Sequence, residues 1–179
     1  MDETPEDLAR LQEVLDASHA GGGAHLRAII SAERRLTAVQ LGEQLTGMTL
    51  LVLATATADG RPIAGPVDGI FYRGRFHFGS SPDSVRFRHI LRGSAVSATH
   101  LPGEHLNVTV HGRAEMVDVS PTGDAGFRRA LLDVYVPRYG ADWEQFLDSG
   151  PVYARIEPDK MFTFSMPEAE AESPDDDAG

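Results

Sequence analysis

The chain has 179 residues, of which 41% are hydrophobic, and its formal net charge is −11. This length and apolar content suffice for one domain with a hydrophobic core. The negative charge argues against a protein that coats nucleic acid, because such binding needs a clustered positive field. The absence of cysteine excludes disulfides, thiolate catalysis, iron–sulfur clusters and cysteine-ligated zinc.

The sequence contains no candidate membrane span, since no stretch approaches the roughly 20 apolar residues that a helix needs to cross a bilayer. Residues 1–7 are acidic, where a secretory signal peptide would be basic. We therefore expect a soluble, cytoplasmic protein.

Helical signals fill the first part of the chain. Thr4 followed by Pro5 is typical of a helix start, and leucines then keep to one face of the following turns. Gly21–Gly23 ends this helix, after which apolar residues at helical spacing continue as far as Gly47. We predict an N-terminal helical segment over residues 1–46, packed on the domain or on a neighbouring subunit.

From Met48 the sequence changes to strand patterns. A buried strand is followed by Asp59-Gly60, which is a hairpin signal, and then by a second extended segment. Pro62 and Pro66 fall in this second strand. Because proline cannot donate to a sheet, we expect that strand to be irregular or at an edge, with its backbone free to approach a ligand.

Strand patterns continue to the end of the domain, interrupted by predicted helices between Ser84 and Gly93, over 127–135 and around Trp143. We expect Glu157-Pro158-Asp159 to turn the chain between the last two strands. Residues 167–179 are acidic and small, which predicts a disordered tail. The predicted strands are Thr49–Thr57, Arg61–Phe71, Arg75–Gly79, Ala95–Leu101, Leu106–Val119, Val152–Ile156 and Met161–Phe164.

A predicted strand-to-helix junction carries three serines and two arginines, with Pro82 at the expected first helical position. A helix start exposes unpaired N–H groups, so hydroxyls and guanidinium groups beside it suit a bound phosphate. In the alternative reading, Ser81 only caps a surface helix and the arginines are solvated. The five residues are Ser80, Ser81, Ser84, Arg86 and Arg88.

Four pieces of sequence carry a family resemblance through their order and spacing: Leu51–Gly60, Pro66–Gly69, Phe76–Ser81 and Val110–Glu115. Together the run from Thr49 to Val117 resembles the pyridoxamine 5′-phosphate oxidase-like family of FMN-binding split barrels. The later segment Ala154–Phe164 is similar to the last hairpin of that family.

The resemblance implies a fold that is mainly β with peripheral helices (α+β). The core is expected to be a six-stranded antiparallel split β-barrel of Greek-key type, over residues 47–166. The family forms dimers with the cofactor at the interface, which implies a homodimer here. Trp143 or Tyr139 of one subunit is then a candidate to complete the site of the other.

Carried over by position, the resemblance also implies a set of cofactor-binding residues. Serine hydroxyls and a guanidinium would bind the phosphate, and backbone groups of the second strand would lie along the ring. In the alternative interpretation, Asp68 is a turn aspartate before Gly69 and Asn107 is an exposed strand residue, and neither binds the cofactor. The implied residues are Pro66, Val67, Asp68, Ser80, Ser81, Ser84, Arg86 and Asn107.

The function implied by the resemblance is an FMN-dependent oxidoreductase that acts on a small organic molecule. The same fold also serves the deazaflavin coenzyme (F-420), whose longer anionic tail would meet Arg86 and Arg88. A non-catalytic protein that binds flavin or haem is the alternative from another class.

We expect no metal site, because the histidines lack metal-ligand spacing such as His-Glu-x-x-His. Pyridoxamine phosphate oxidation itself is disfavoured, since the family's C-terminal arginine and histidine are not found.

Overall fold

The computed structural model describes residues 2–166, so the predicted tail at 167–179 lies outside the described residues. The helices are α1 (Pro5–Ala20), α2 (Ala24–Ile29), α3 (Ala38–Gln44), α4 (Val85–Leu91), α5 (Ala125–Tyr139) and α6 (Trp143–Asp148), with a 3-10 helix at Ala32–Arg34. The strands are β1 (Met48–Ala56), β2 (Pro62–Tyr72), β3 (Arg75–Ser80), β4 (Ala95–Gly103), β5 (Leu106–Val117) and β6 (Val152–Ser165).

The six strands close into one antiparallel barrel in the order β1-β2-β3-β6-β5-β4, and β4 returns to pair with β1. The first three strands form consecutive hairpins, after which the chain passes through α4 to the other side of β1. The last strand then closes the barrel between β3 and β5. The six-stranded antiparallel barrel with peripheral helices, predicted from the family resemblance, is confirmed.

The inside of the barrel is filled by side chains that alternate along each strand. In β1, Leu51 and Leu53 point inward and are 1% and 3% exposed, whereas Val52 between them is 54% exposed. The N-terminal helices add to the same cluster, since Leu11 of α1 and Leu41 of α3 belong to it. These helices therefore pack on the barrel of their own chain.

A second apolar cluster lies on the outside of the barrel under α5 and α6. Phe127 of α5 is fully buried against Tyr72 of β2 and Tyr153 of β6, with ring centroids 5.6 and 5.9 Å away. Leu147 anchors α6 to the same cluster. The strands of the barrel thus separate an inner core from an outer one.

One prediction about the last strand is wrong. The segment expected to turn at Glu157-Pro158-Asp159 is part of a single long strand, β6, which pairs with β5 throughout. The pairing shifts by one residue there, because Lys160 faces His111 while Pro158 faces Gly112. This is a β-bulge, which uses the same residue types as a turn but keeps the strand in the sheet.

Gly112 makes room for the bulge, because a Cβ atom at that position would collide with the carbonyl group of Glu157. We expect Gly112→Ala to lower the free energy of unfolding by about 2 kcal/mol or more, since the neighbouring backbone must shift. Chemical denaturation measures the change. Gly23→Ala is the matched control, because nothing lies within 4 Å of a Cβ there and its backbone is extended. Equal stability losses in the two variants would contradict the assigned role of Gly112.

His77 connects the barrel to α5 as a buried neutral side chain. Its ring lies 4.2 Å from that of Phe127, between centroids, and its Nδ1 is 3.2 Å from the carbonyl oxygen of Arg75. Burial lowers the pKa of His77 from 6.5 to about 4. The unfolded chain therefore binds more protons than the folded one between these two pH values.

We expect the free energy of unfolding to decrease as the pH falls from about 6.5 to about 4, with His77 contributing of order 3 kcal/mol. Above pH 6.5 the imidazole is neutral in both states, so its contribution is constant. The difference between wild type and His77→Phe in urea denaturation across this range isolates the effect from other titrating groups. Parallel pH profiles for the two proteins would show that His77 is not the cause.

Candidate functional site

The barrel is split along the first half of β2. This half pairs with β1 from Pro62 onward, but pairing with β3 begins only at Gly69. The first half of β2 is therefore an edge on the side away from β1, in agreement with the prediction from its prolines. The guanidinium group of Arg86, on α4, reaches this open side and donates a hydrogen bond to the carbonyl oxygen of Pro66 (2.9 Å).

A cavity of about 190 Å³ lies between this open backbone and the start of α4. Ser80, Ser84, Arg86 and Gly65 are among its lining residues. Arg86 is the only charged residue that lines it within the described part of the chain. Burial lowers the pKa of the Arg86 guanidinium, which nevertheless stays charged because an arginine side chain is not deprotonated in proteins. An anion that enters meets one half-buried cation and a lining that includes three hydroxyl side chains, those of Thr55, Ser80 and Ser84.

The local structure around the serines differs from the prediction. Helix α4 begins at Val85 rather than at Pro82, which instead lies in a turn closed by the N–H of Ser84 donating to the carbonyl of Ser81 (3.0 Å). Proline at the second position of a turn is as favourable as at a helix start, so the local sequence fits both. Ser84 caps α4 by accepting from the N–H of Phe87 (3.4 Å), and Arg88 is exposed.

Four of the predicted residues on other strands fall in different places. Pro66 and Asp68 are exposed on the outer face of β2, whereas the side chain of Val67 points into the barrel. Asp68 pairs with Leu50 in mid-strand, so the turn reading of this residue is wrong. Asn107 lines neither this cavity nor the cleft described next, because β1 and β4 lie between its strand and β2.

A larger cleft of about 460 Å³ opens beside the first cavity, between the outer face of the barrel and helices α5 and α6. Ser80 lines both cavities, so they are neighbours. Asp68, Ser80 and Ser81 line the barrel side of the cleft. The facing side, on α5 and α6, is aromatic and consists of Tyr135, Tyr139, Trp143 and Phe146, while Tyr153 of β6 adds a fifth ring from the barrel side.

The aromatic side chains are held in a stack. The ring of Tyr135 is nearly parallel to those of Trp143 and Tyr139, at 17° in both pairs, with centroids 4.6 and 5.9 Å apart. The ring of Tyr153 lies against Gly79, where a Cβ atom would come within 2.6 Å of it. Burial, and secondarily the negative charge of Asp68, raise the pKa of Tyr153 to about 12, which keeps its phenol protonated.

The sequence identified only part of this cleft. Trp143 and Tyr139 are the candidates to complete the site of a partner subunit, and the structure places both in the cleft of their own chain. Tyr135 was detectable as a cleft residue because it precedes Tyr139 by four positions, on the same helix face. Tyr153 had no local signal, since its position depends on β6 pairing with Gly79 of β3.

No histidine is found among the described residues that line the two cavities. His89 is buried and hydrogen-bonded to Thr55 (2.8 Å). Between residues 2 and 166, no three His, Asp or Glu side chains are grouped closely enough to bind a metal ion. Over the same range, every helix is too short or too polar to cross a bilayer.

Comparison with known proteins identifies the family. Residues 40–164 match the family model described as pyridoxamine 5′-phosphate oxidase. The chain belongs to the pyridoxamine 5′-phosphate oxidase family. No match was found among curated proteins.

Solved structures of this family's fold are similar to the chain at low sequence identity. A conserved hypothetical protein from Mycobacterium tuberculosis has a TM-score of 0.62 at 17% identity, with 75% of this chain and 88% of that chain covered. An FAD-binding protein from Mesorhizobium loti has a TM-score of 0.53 at 20% identity, with coverages of 73% and 93%. The haem storage protein HutZ from Vibrio cholerae has a TM-score of 0.51 at 19% identity, with coverages of 65% and 85%. At these identities the likeness establishes the fold.

Proposed function

We propose that this member of the pyridoxamine 5′-phosphate oxidase family binds FMN and uses it to oxidise or reduce a small organic molecule. The cavity at Arg86 carries the proposal, because it offers an anion a half-buried guanidinium in a strongly acidic protein. The FAD-binding protein of similar fold adds support for a flavin. The absence of histidine from the described lining of both cavities favours flavin over haem.

In this proposal the phosphate lies between Arg86 and the hydroxyls of Ser80 and Ser84. The hydrogen bond to Pro66 uses one of the five N–H donors of the guanidinium, so the others remain for an anion. Ser84 can cap α4 and still donate its hydroxyl proton. Gly65 leaves the space over Arg86 open, since an added Cβ would lie 3.6 Å from its Nη2.

The ring would follow the open backbone from Pro66 to Asp68, which leads from the phosphate cavity to the aromatic cleft. A bound flavin supplies hydride or electron transfer, and the protein supplies binding and orientation. The cleft then holds the substrate beside the ring and keeps water from it. Arg88, which the longer tail of a deazaflavin would need, lies outside the lining of the phosphate cavity.

We expect Arg86→Ala to weaken FMN binding about 10- to 100-fold without unfolding the protein, because a charge-assisted contact to phosphate contributes roughly 1.5 to 3 kcal/mol. Titration of cofactor-free protein, followed by flavin fluorescence, gives the dissociation constants. Arg88→Ala is the matched control, since it removes an equal charge two residues away. Unchanged FMN affinity in a folded Arg86→Ala variant would remove Arg86 from the site.

The same titration with the deazaflavin coenzyme and with haem tests the other cofactors that the fold accommodates. Tight binding of one of these in place of FMN would replace FMN in the proposal. Bound FMN that no reductant or substrate can turn over would instead indicate a non-catalytic flavin-binding protein.

We further propose that the protein is a homodimer with the cofactor at the interface. The outer face of the neighbouring strands β1 and β4 carries three large apolar side chains that are more than half exposed, Leu50, Val52 and Leu101. Soluble proteins rarely leave such a patch open to water. It adjoins Pro66, which pairs with Val52, so a second copy docked here would lie against the proposed ring position.

Sedimentation of the wild type is expected to give twice the chain mass of 19.4 kDa. Val52→Glu should produce monomers that bind FMN more weakly, because the new charge would be desolvated in the interface. Leu91→Glu, at a side chain that is 69% exposed on α4, is the control and should remain dimeric. A monomeric wild type would show the homodimer proposal to be wrong.

A further inference from the structure

The larger cleft has an unusual chemical composition for a site next to a phosphate cavity. Its one charged side chain is a carboxylate, Asp68, and no lysine, arginine or histidine is found among the described residues that line it. Five aromatic side chains line the cleft together with that carboxylate. Among the described lining residues, a second phosphate or carboxylate group would meet repulsion from Asp68 and no cation to compensate it.

Asp68 is available to a ligand. Within residues 2–166 its side chain makes no salt bridge and no hydrogen bond, although it is exposed on the cleft side of β2. Its negative charge acts inside the cleft, since it helps to raise the pKa of both Tyr135 and Tyr153, after the larger effect of burial. These phenols are neutral and do not offset the charge.

The aromatic rings also favour a positively charged ligand. Cations bind over the faces of Trp, Tyr and Phe, most strongly where water is partly excluded. Tyr139 and Phe146 are 54% and 53% exposed, so their rings are accessible to a ligand. Tyr139 already has a cation over its ring within the chain, because the guanidinium carbon of Arg138 lies 5.8 Å from the ring centroid.

We propose that this cleft binds an organic cation with a planar or aromatic body, its positive charge at Asp68 and its body along the aromatic stack. Binding of the cation does not depend on the proposed function, whereas its identification as the substrate of the bound flavin rests on that function. A volume of about 460 Å³ suits a molecule of one or two rings. The formal net charge of −11 also favours the approach of cations to the protein.

Trp143 is the single tryptophan of the chain and lies in the cleft, so its fluorescence reports binding directly. Cofactor-free protein is titrated with benzyltrimethylammonium, benzyl alcohol and benzoate, which share a phenyl ring but differ in charge. We expect the cation to bind at least about tenfold more tightly than the alcohol, and benzoate more weakly than either. Equal affinities, or a preference for benzoate, would overturn the inference.

Asp68→Asn removes the charge while keeping the shape of the side chain. The preference for the cation over the alcohol should fall to about threefold, the part that the rings contribute. Asp83→Asn is the matched control, because this exposed carboxylate lies close in sequence but does not line the cleft. A preference that survives in Asp68→Asn, or is lost equally in both variants, would show that Asp68 does not select the ligand.

Repeating the titration in the presence of saturating FMN separates this inference from the cofactor proposal. The cation should bind with similar affinity when FMN is present, since the two occupy neighbouring cavities. Competition between them would place the flavin ring in the cleft and overturn the inference while leaving FMN binding intact. Cation binding by a protein that binds no FMN would support the cleft assignment and refute the proposed use of FMN.

Discussion

A closed barrel packed with side chains has no empty interior and leaves little strand edge unpaired, and this constraint decides where the protein can bind a ligand. Each of the six strands pairs on both sides, and large apolar side chains fill the inside. Ligand sites must therefore lie on the outside, or where the pairing fails. The split along β2 is such a place, and α5 and α6 build a second concave surface beside it. Both candidate cavities follow from this geometry.

Much of the fold was predictable because its signals are local. A buried-strand pattern marked β1, alternation of apolar and polar residues marked β5, and the hairpin signal at Asp59-Gly60 correctly joined β1 to β2. The continuous β6 was not predictable in the same way. A bulge and a turn use the same residues, and the feature that distinguishes them is Gly112, which lies on another strand.

In the candidate site, too, the predictable residues are those that lie close together in sequence. Ser80, Ser84 and Arg86 are close in sequence, and the structure brings them together in one cavity. Asn107 was assigned to the site by resemblance alone, and no local pattern shows that two strands separate it from β2. Tyr153 was missed for the converse reason, because only the pairing of β6 with β3 brings it to the cleft. Contacts between segments that are distant in sequence determine which of these residues reach the site, and local sequence patterns do not show those contacts.

The division of the apolar core into an inner and an outer cluster has a consequence for how the molecule opens. Side chains inside the barrel are buried by strands that pair all round, whereas the outer cluster is covered only by α5 and α6. Amide protons of these two helices can therefore exchange with solvent through a partial opening that leaves the barrel hydrogen bonds intact. The aromatic residues of the cleft that lie on α5 and α6 belong to that less protected layer, so a ligand bound there would leave through local rather than global unfolding.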